Sequence, residues 1–419
     1  MADVTADVLI VGAGPAGAAC ADELRERGFD GSVMLVGREL DPPYERPLVS
    51  KAYLRGTASR ESAFLRPPGH WDERRIDLLT RVSAMKLDCA GRSVRLSDKR
   101  EVGFGQLLLA TGANVRRLRV DGAQLDGIHY LRTLANADAL RADSESAEHV
   151  VLVGGSYLAC ELAASLTEMG RRCAMVMEEQ LPLSAGFGDQ AGAYFAGLLR
   201  GHGVELVCGD PLAGFKPAPP SGDEERPRVG AVVTASGREL PADVVAMGTG
   251  AVPDVMLARG GGLELGDSGG VACSAALETS APGVWAAGDI CEYDSVVHGR
   301  RLRIEHWEVA AAQGRAVARA MLGEVGDFED VPYFWSDLAD WAKAEYVGPA
   351  AGWDSEVVRG SLEGGDFTIF YLDGSRIVAA LTVGRPDDLA HAARLLRAGT
   401  EVGAAKAALA DPGVALASL

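Results

Sequence analysis

No two of the seven cysteines, at 20, 89, 160, 173, 208, 273 and 291, form a C-x-x-C, and their odd number suits no disulfide framework. No run of 18 apolar residues occurs, so nothing in the sequence is expected to span a bilayer. The N-terminus carries Asp3 and Asp7 where a secretory signal needs Lys or Arg, so Val8–Ala19 does not read as one. Basic charge is scarce: 41 Lys and Arg face 59 Asp and Glu, for a net charge of −18. Nucleic acid and anionic membrane surfaces are therefore poor candidates as main partners. The seven histidines show no metal-ligand spacing, so no metal is expected. The expectation is a reduced, cytoplasmic, soluble protein.

What is abundant is glycine, 52 of 419 residues, with no G-X-Y period and no long Pro/Ser tract. In a globular chain this implies tight turns and close backbone approaches. At roughly 100–200 residues per domain, the length implies two to four domains.

An internal repeat organises the chain. Residues 7–36 match residues 149–177 at an offset of 142, each reading as apolar strand, glycine turn, helix and second apolar strand. That is the pattern of a parallel βαβ unit. Strands are expected at Ser93–Leu96, Gln106–Ala110, Val284–Ala287, Phe367–Leu372 and Ile377–Val383, and a helix over Ala310–Leu322. Asp41–Lys51 is too proline-rich for a regular element, Arg116–Gly127 reads as a linker, and Lys216–Arg228 has a loop's composition. Beyond Val331 aromatics cluster, as expected for a third, α+β domain ending in an Ala-rich helix and a frayed tail.

In the first copy, Gly12 permits the tight turn, Gly14 the approach of a pyrophosphate and Gly17 close helix–strand packing. The helix start supplies free N–H groups for the phosphates. An acid should follow the second strand to hold a ribose, yet Arg38 stands there. Either Glu39 substitutes one residue later, or Arg38 is a solvated turn residue. In the second copy Gly154 is kept, but Ser156 and Ala159 replace the other two glycines. Glu178 ends the following strand, favouring a free ribose 2′-hydroxyl and hence NADH over NADPH. The alternative is that Ser156 weakens this site. Asp289, after the strand-like VWAAG, suits a ribityl or ribose hydroxyl, or caps a helix.

These features, with PPYERPLVSK at 42–51, ATG at 110–112, LRT at 131–133, GTGAVPD at 248–254, LETSAPGVWAAGD at 277–289, EHW at 305–307 and PYFWSD at 332–337, give a specific resemblance. The chain resembles the FAD-dependent pyridine nucleotide–disulfide oxidoreductases. Within them it looks like the ferredoxin, putidaredoxin and rubredoxin reductases and their relatives around apoptosis-inducing factor. The resemblance implies an α/β fold: two Rossmann-like, glutathione-reductase-type dinucleotide-binding domains plus a C-terminal α+β domain. The expected boundaries are 1–117 with 246–326 for FAD, 118–245 for NAD(H) and 327–419 for the C-terminal domain.

It further implies that Gly12, Gly14, Gly17, Glu39, Arg46, Lys51, Thr111, Arg132, Asp289, Glu305, His306, Trp307 and Trp335 serve FAD. Gly154, Ser156, Tyr157, Glu161, Glu178 and Gly250 would serve NAD, and Lys51 with Glu161 would form the catalytic pair beside flavin N5. Trp335 and Trp307 have core packing as their alternative, and His306 an inter-domain hydrogen bond. A disulfide reductase of this superfamily needs a cysteine beside the flavin; none lies between Arg38 and Lys51, and Cys160 reads as a small buried residue. Electrons must then pass to an external acceptor, expected to be a [2Fe–2S] ferredoxin or rubredoxin of an oxygenase or P450 system. Arg300, Arg301 and Arg303, or Arg116, Arg117 and Arg119, are either its docking patch or solvated surface. Two rivals share the fold: a flavoenzyme acting directly on a small molecule, oxygen or quinone, and an NADH-sensing binding protein.

Overall fold

The computed structural model describes residues 3–219 and 226–419, so residues 220–225 of the polar insert lie outside the described residues. The chain divides into two compact units. One comprises Met1–Arg46, Ala63–Asn114 and Val252–Phe334; the other comprises Pro47–Ser62, Val115–Ala251 and Trp335–Leu419.

The first unit is built on a seven-stranded sheet. Its parallel strands run Ile76–Leu79, Val33–Val36, Val4–Val11, Glu101–Leu109 and Val284–Ala286, the last two paired over Leu107–Leu109. Ser93–Leu96 and Ala84–Asp88 extend it antiparallel. The apolar runs are continuous because both sheet faces are covered, as parallel sheets require. Helices Pro15–Glu26 and Trp307–Met321 cross at Gly314, where a Cβ would stand 2.1 Å from the Ala16 carbonyl oxygen. That contact explains the small residues of the second helix.

The second unit repeats the plan with parallel strands in the order Glu205–Val207, Arg172–Val176, His149–Val153, Val244–Met247 and Ile128–Tyr130. A three-stranded antiparallel sheet, Leu212–Pro217, Val229–Thr234 and Glu239–Pro241, is appended. The C-terminal sheet orders Tyr333–Leu338, Ala342–Val347, Arg376–Val383, Asp366–Asp373 and Ser355–Ser361, the last four antiparallel, with helix Pro386–Ala398 packed on it.

The chain end differs from the frayed tail expected. Arg359, 4% exposed, donates to the carbonyls of Leu409, Asp411, Pro412 and Val414, and Arg394 to those of Leu416 and Leu419. A guanidinium with five donors satisfies irregular backbone that has no ladder to join. Among the described residues no helix is long and apolar enough to cross a membrane.

Candidate functional site

In the first glycine turn each glycine has a separate reason. Gly12 sits at φ +120°, and a Cβ there would lie 2.0 Å from the Ala110 carbonyl oxygen. At Gly17 it would lie 2.0 Å from the carbonyl oxygen of Gly12. Gly14 has no protein atom within 4 Å of that position, so the space above it is left for something other than protein. Helix Pro15–Glu26 begins there with no side-chain cap and no acid in its first turn, leaving its N–H groups for an anion. The turn fits a dinucleotide pyrophosphate.

Around it, Arg46 donates to Glu39 Oε1 at 2.7 Å and to the Tyr44 hydroxyl at 2.8 Å; that hydroxyl donates to Glu39 Oε2 at 2.6 Å. Arg38 is bound to Asp254 and Asn114, each at 2.7 Å, which anchors it as a turn residue. Thr111 Oγ1 donates to the Asp254 carbonyl at 2.6 Å. Asp289 lies in the 3-10 turn Gly288–Ile290 after strand Val284–Ala286, and Gln313 Oε1 accepts from Gly288 N–H at 2.8 Å. Arg303 bridges the Asp289 carbonyl and the Glu305 carboxylate at 3.0 and 2.6 Å. Burial pushes the His306 imidazole down to about 4, against the pull of Asp289, and its ring tilts on Phe334 at 4.4 Å. Trp307 is half-buried at the head of its helix.

The second unit holds the other turn. Gly154 has φ +114°, and a Cβ there would meet the Gly248 carbonyl oxygen at 2.4 Å. The Ser156 hydroxyl donates to that same carbonyl at 3.1 Å. Tyr157 packs on Phe187 with ring centres 5.3 Å apart. Its hydroxyl, largely buried and beside Cys160, is pushed up to about 12. Gly250 has open space around its Cβ position, and Glu178 is exposed at the end of strand Arg172–Val176.

One turn into helix Tyr157–Glu168 stands Glu161, 7% exposed, facing Lys51, 8% exposed. Lys51 Nζ donates to Glu161 Oε1 at 2.6 Å, Ser336 Oγ to the same oxygen at 2.7 Å, and Ser50 Oγ to Oε2 at 2.5 Å. Ser165 Oγ in turn donates to the Ser50 carbonyl at 2.7 Å. Asp337 lies near the pair; burial raises its carboxyl above the ordinary range, Glu161 adds to this, and Lys51 and Lys343 oppose it. A buried ion pair is tolerated when its remaining lone pairs are bonded, and two hydroxyls, of Ser336 and Ser50, do that here.

The candidate residues thus fall in two sets. Gly12, Gly14, Gly17, Glu39, Arg46, Thr111, Asp289, Glu305, His306 and Trp307 belong to the first unit, and Lys51, Arg132, Trp335 and the second-turn residues to the other. Sequence reasoning passed over Ser50, Ser165 and Ser336. The first and last stand inside motifs already singled out, PLVSK and WSD, which was the available signal. All seven cysteines are free, and Cys160 is fully buried with its thiol pushed far up by that burial. The described residues hold no cluster of metal-ligating side chains. Of the proposed basic patch, Arg301 is paired with Asp294 at 2.9 Å and Arg303 with Glu305 at 2.6 Å.

Residues 6–314 match the pyridine nucleotide-disulphide oxidoreductase family. The chain belongs to it. Residues 333–419 match the reductase C-terminal family. The chain is 33% identical to the rhodocoxin reductase of Rhodococcus erythropolis, over 93% of this chain and 89% of that one. The crystal structure of the ferredoxin reductase for the CYP199A2 system from Rhodopseudomonas palustris superposes with a TM-score of 0.92 at 31% identity, covering 99% of each chain. The covalent putidaredoxin reductase–putidaredoxin complex gives 0.91 at 32% identity, covering 100% of this chain and 98% of that one. This chain is accordingly an FAD-dependent oxidoreductase of the family, with NAD(P) as its nucleotide.

Proposed function

We propose that the chain carries electrons from NADH through FAD to a small iron–sulfur protein, a [2Fe–2S] ferredoxin or rubredoxin, serving an oxygenase or cytochrome P450. The observation that carries this reading is the buried Lys51–Glu161 pair, one turn beyond the second dinucleotide turn. A charge pair in such a place costs more than apolar packing would, so its retention fits a role in the reaction. Residues 1–117 with 246–326 take the FAD-binding part, 118–245 the NAD(H)-binding part and 327–419 the C-terminal part. The similar ferredoxin reductase for the CYP199A2 system has a ferredoxin partner in its name.

In this reading Gly14 and the free N–H groups of helix Pro15–Glu26 receive the FAD pyrophosphate. Glu39, held by Arg46 and Tyr44, takes a ribose hydroxyl, and Asp289 a ribityl hydroxyl. Thr111, Arg132, Glu305, His306, Trp307 and Trp335 complete the flavin contacts, and Lys51 and Glu161 stand beside flavin N5. Bound FAD supplies the exchange between hydride and single electrons. Gly154, Ser156, Tyr157 and Gly250 form the nicotinamide-nucleotide turn. Exposed Glu178 there bonds a free 2′-hydroxyl and repels a 2′-phosphate, which favours NADH. Arg300, Arg301 and Arg303 serve as docking face, their charge partly offset by Asp294 and Glu305.

Anaerobic stopped-flow of the yellow protein tests the reading. Rapid bleaching by NADH, slower by NADPH, then fast reoxidation by a ferredoxin and slow reoxidation by oxygen is the expected result. No bleaching by either nucleotide overturns it. Fast reoxidation by quinone or oxygen alone supports the direct flavoenzyme instead, and a long-lived charge-transfer complex with altered sedimentation supports a sensor.

A further inference from the structure

Strand Tyr333–Leu338 reaches Glu161 from 175 residues away in sequence. Ser336, 1% exposed, donates to the oxygen that also receives Lys51 Nζ, while Ser50 occupies the other oxygen. A carboxylate bonded on both oxygens is held in one orientation. Mere packing of a C-terminal region over a flavin requires no such hydroxyl.

We propose that Ser336 is a positioning residue for hydride transfer: its bond to Glu161 Oε1 orients that carboxylate and, through the Lys51 Nζ bonded to the same oxygen, holds the pair beside the flavin. This rests on the reading of Lys51 and Glu161 as the pair at flavin N5. It makes the C-terminal region a working part of the site through one hydroxyl. The charged and titratable groups facing Glu161 are Lys51, Asp337 on the same strand as Ser336, and Cys160 on its own helix. Lys343 on strand Ala342–Val347 and Glu179 act on Asp337 and Cys160 respectively.

The test uses FAD-loaded Ser336→Ala with two readouts. One is the visible spectrum of the bound oxidised flavin with no nucleotide added; the other is flavin reduction by NADH, resolved into its limiting rate and the Kd for NADH. The flavin bands should shift and the limiting rate should fall by roughly tenfold, the scale of a lost hydrogen bond to a charged group, while the Kd for NADH stays within about twofold. Ser336→Thr should restore them. Ser50→Ala, which removes the donor on the opposite oxygen, should move them the same way and carries the test should Ser336→Ala lose its flavin. A flavin spectrum and limiting rate equal to wild type in the flavin-retaining variant overturn the proposal while the reading of the pair stands. Failure of NADH to bleach the wild-type protein overturns the reading of the pair itself.

Discussion

The two glycine turns, 142 residues apart, share a strand, a bend and a helix but not the same contacts. Gly12 and Gly154 do one job, since each bends the chain at positive φ against a carbonyl that a Cβ would strike. They diverge at the next position. Gly14 leaves open space, whereas Ser156 has its hydroxyl tied back to the Gly248 carbonyl. They diverge again one turn later, where Ala19 in the first helix corresponds to Glu161 in the second. The comparison separates what a dinucleotide turn needs for its backbone from what its ligand is used for. One turn keeps open space at its second glycine; the other carries a charged group, Glu161, one turn into its helix.

The largest effect should come from Gly12→Ala, which combines a forbidden φ with a 2.0 Å backbone clash. A loss on the order of 4 kcal/mol or more, seen as failure to fold in thermal unfolding, is expected. Gly14→Ala is its contrast. Its apoprotein should melt within about 0.5 kcal/mol of wild type, while FAD affinity falls by an overpacking cost of ~1–3 kcal/mol. Equal destabilisation of both apoproteins would refute the division of roles. Glu161→Gln leaves Lys51 buried without its counter-charge, and urea unfolding should show a loss of about 3–5 kcal/mol. Flavin reduction by NADH should slow with it.

Much of this contrast was legible in the residues. The repeat, the exact extent of strand Ser93–Leu96 and the helix over Ala310–Leu322 follow from local periodicity, which the sheet and helix then satisfy. Lys51 and Glu161 were reached through motifs. The serines that complete their site were not, because Ser336 lies 175 residues from Glu161 and nothing local marks a hydroxyl as a donor. The ordered tail was hidden for the same reason, its carbonyls being satisfied by Arg359 from a distant strand. The Arg301 and Arg303 pairings with Asp294 and Glu305 depended on which side chains a hairpin brings into register.

A smaller effect is expected at the rim of the second turn. Glu178→Ala should weaken NADH binding by about tenfold, the scale of a lost hydrogen bond to a charged group. NADPH should be weakened less, narrowing the preference. An unchanged ratio of kcat/KM for the two nucleotides would remove Glu178 from the specificity argument.

The smallest effect, and the one that bears most closely on the comparison, belongs to Ser156→Gly, which makes the second turn read like the first. If the hydroxyl serves only to brace the turn on Gly248, its removal costs the bond at 3.1 Å, about 1 kcal/mol in thermal unfolding. The serine backbone is extended, at φ −83° and ψ 175°, so the glycine gains nothing from wider conformational freedom. The Kd for NAD+ by calorimetry should then change by less than ~3-fold, under the ~1 kcal/mol scale of a single neutral contact. Tightening by tenfold or more would mean that the side chain does stand where backbone should meet pyrophosphate. The two turns would then differ in how closely they admit a ligand, and the brace on Gly248 would be incidental to that difference.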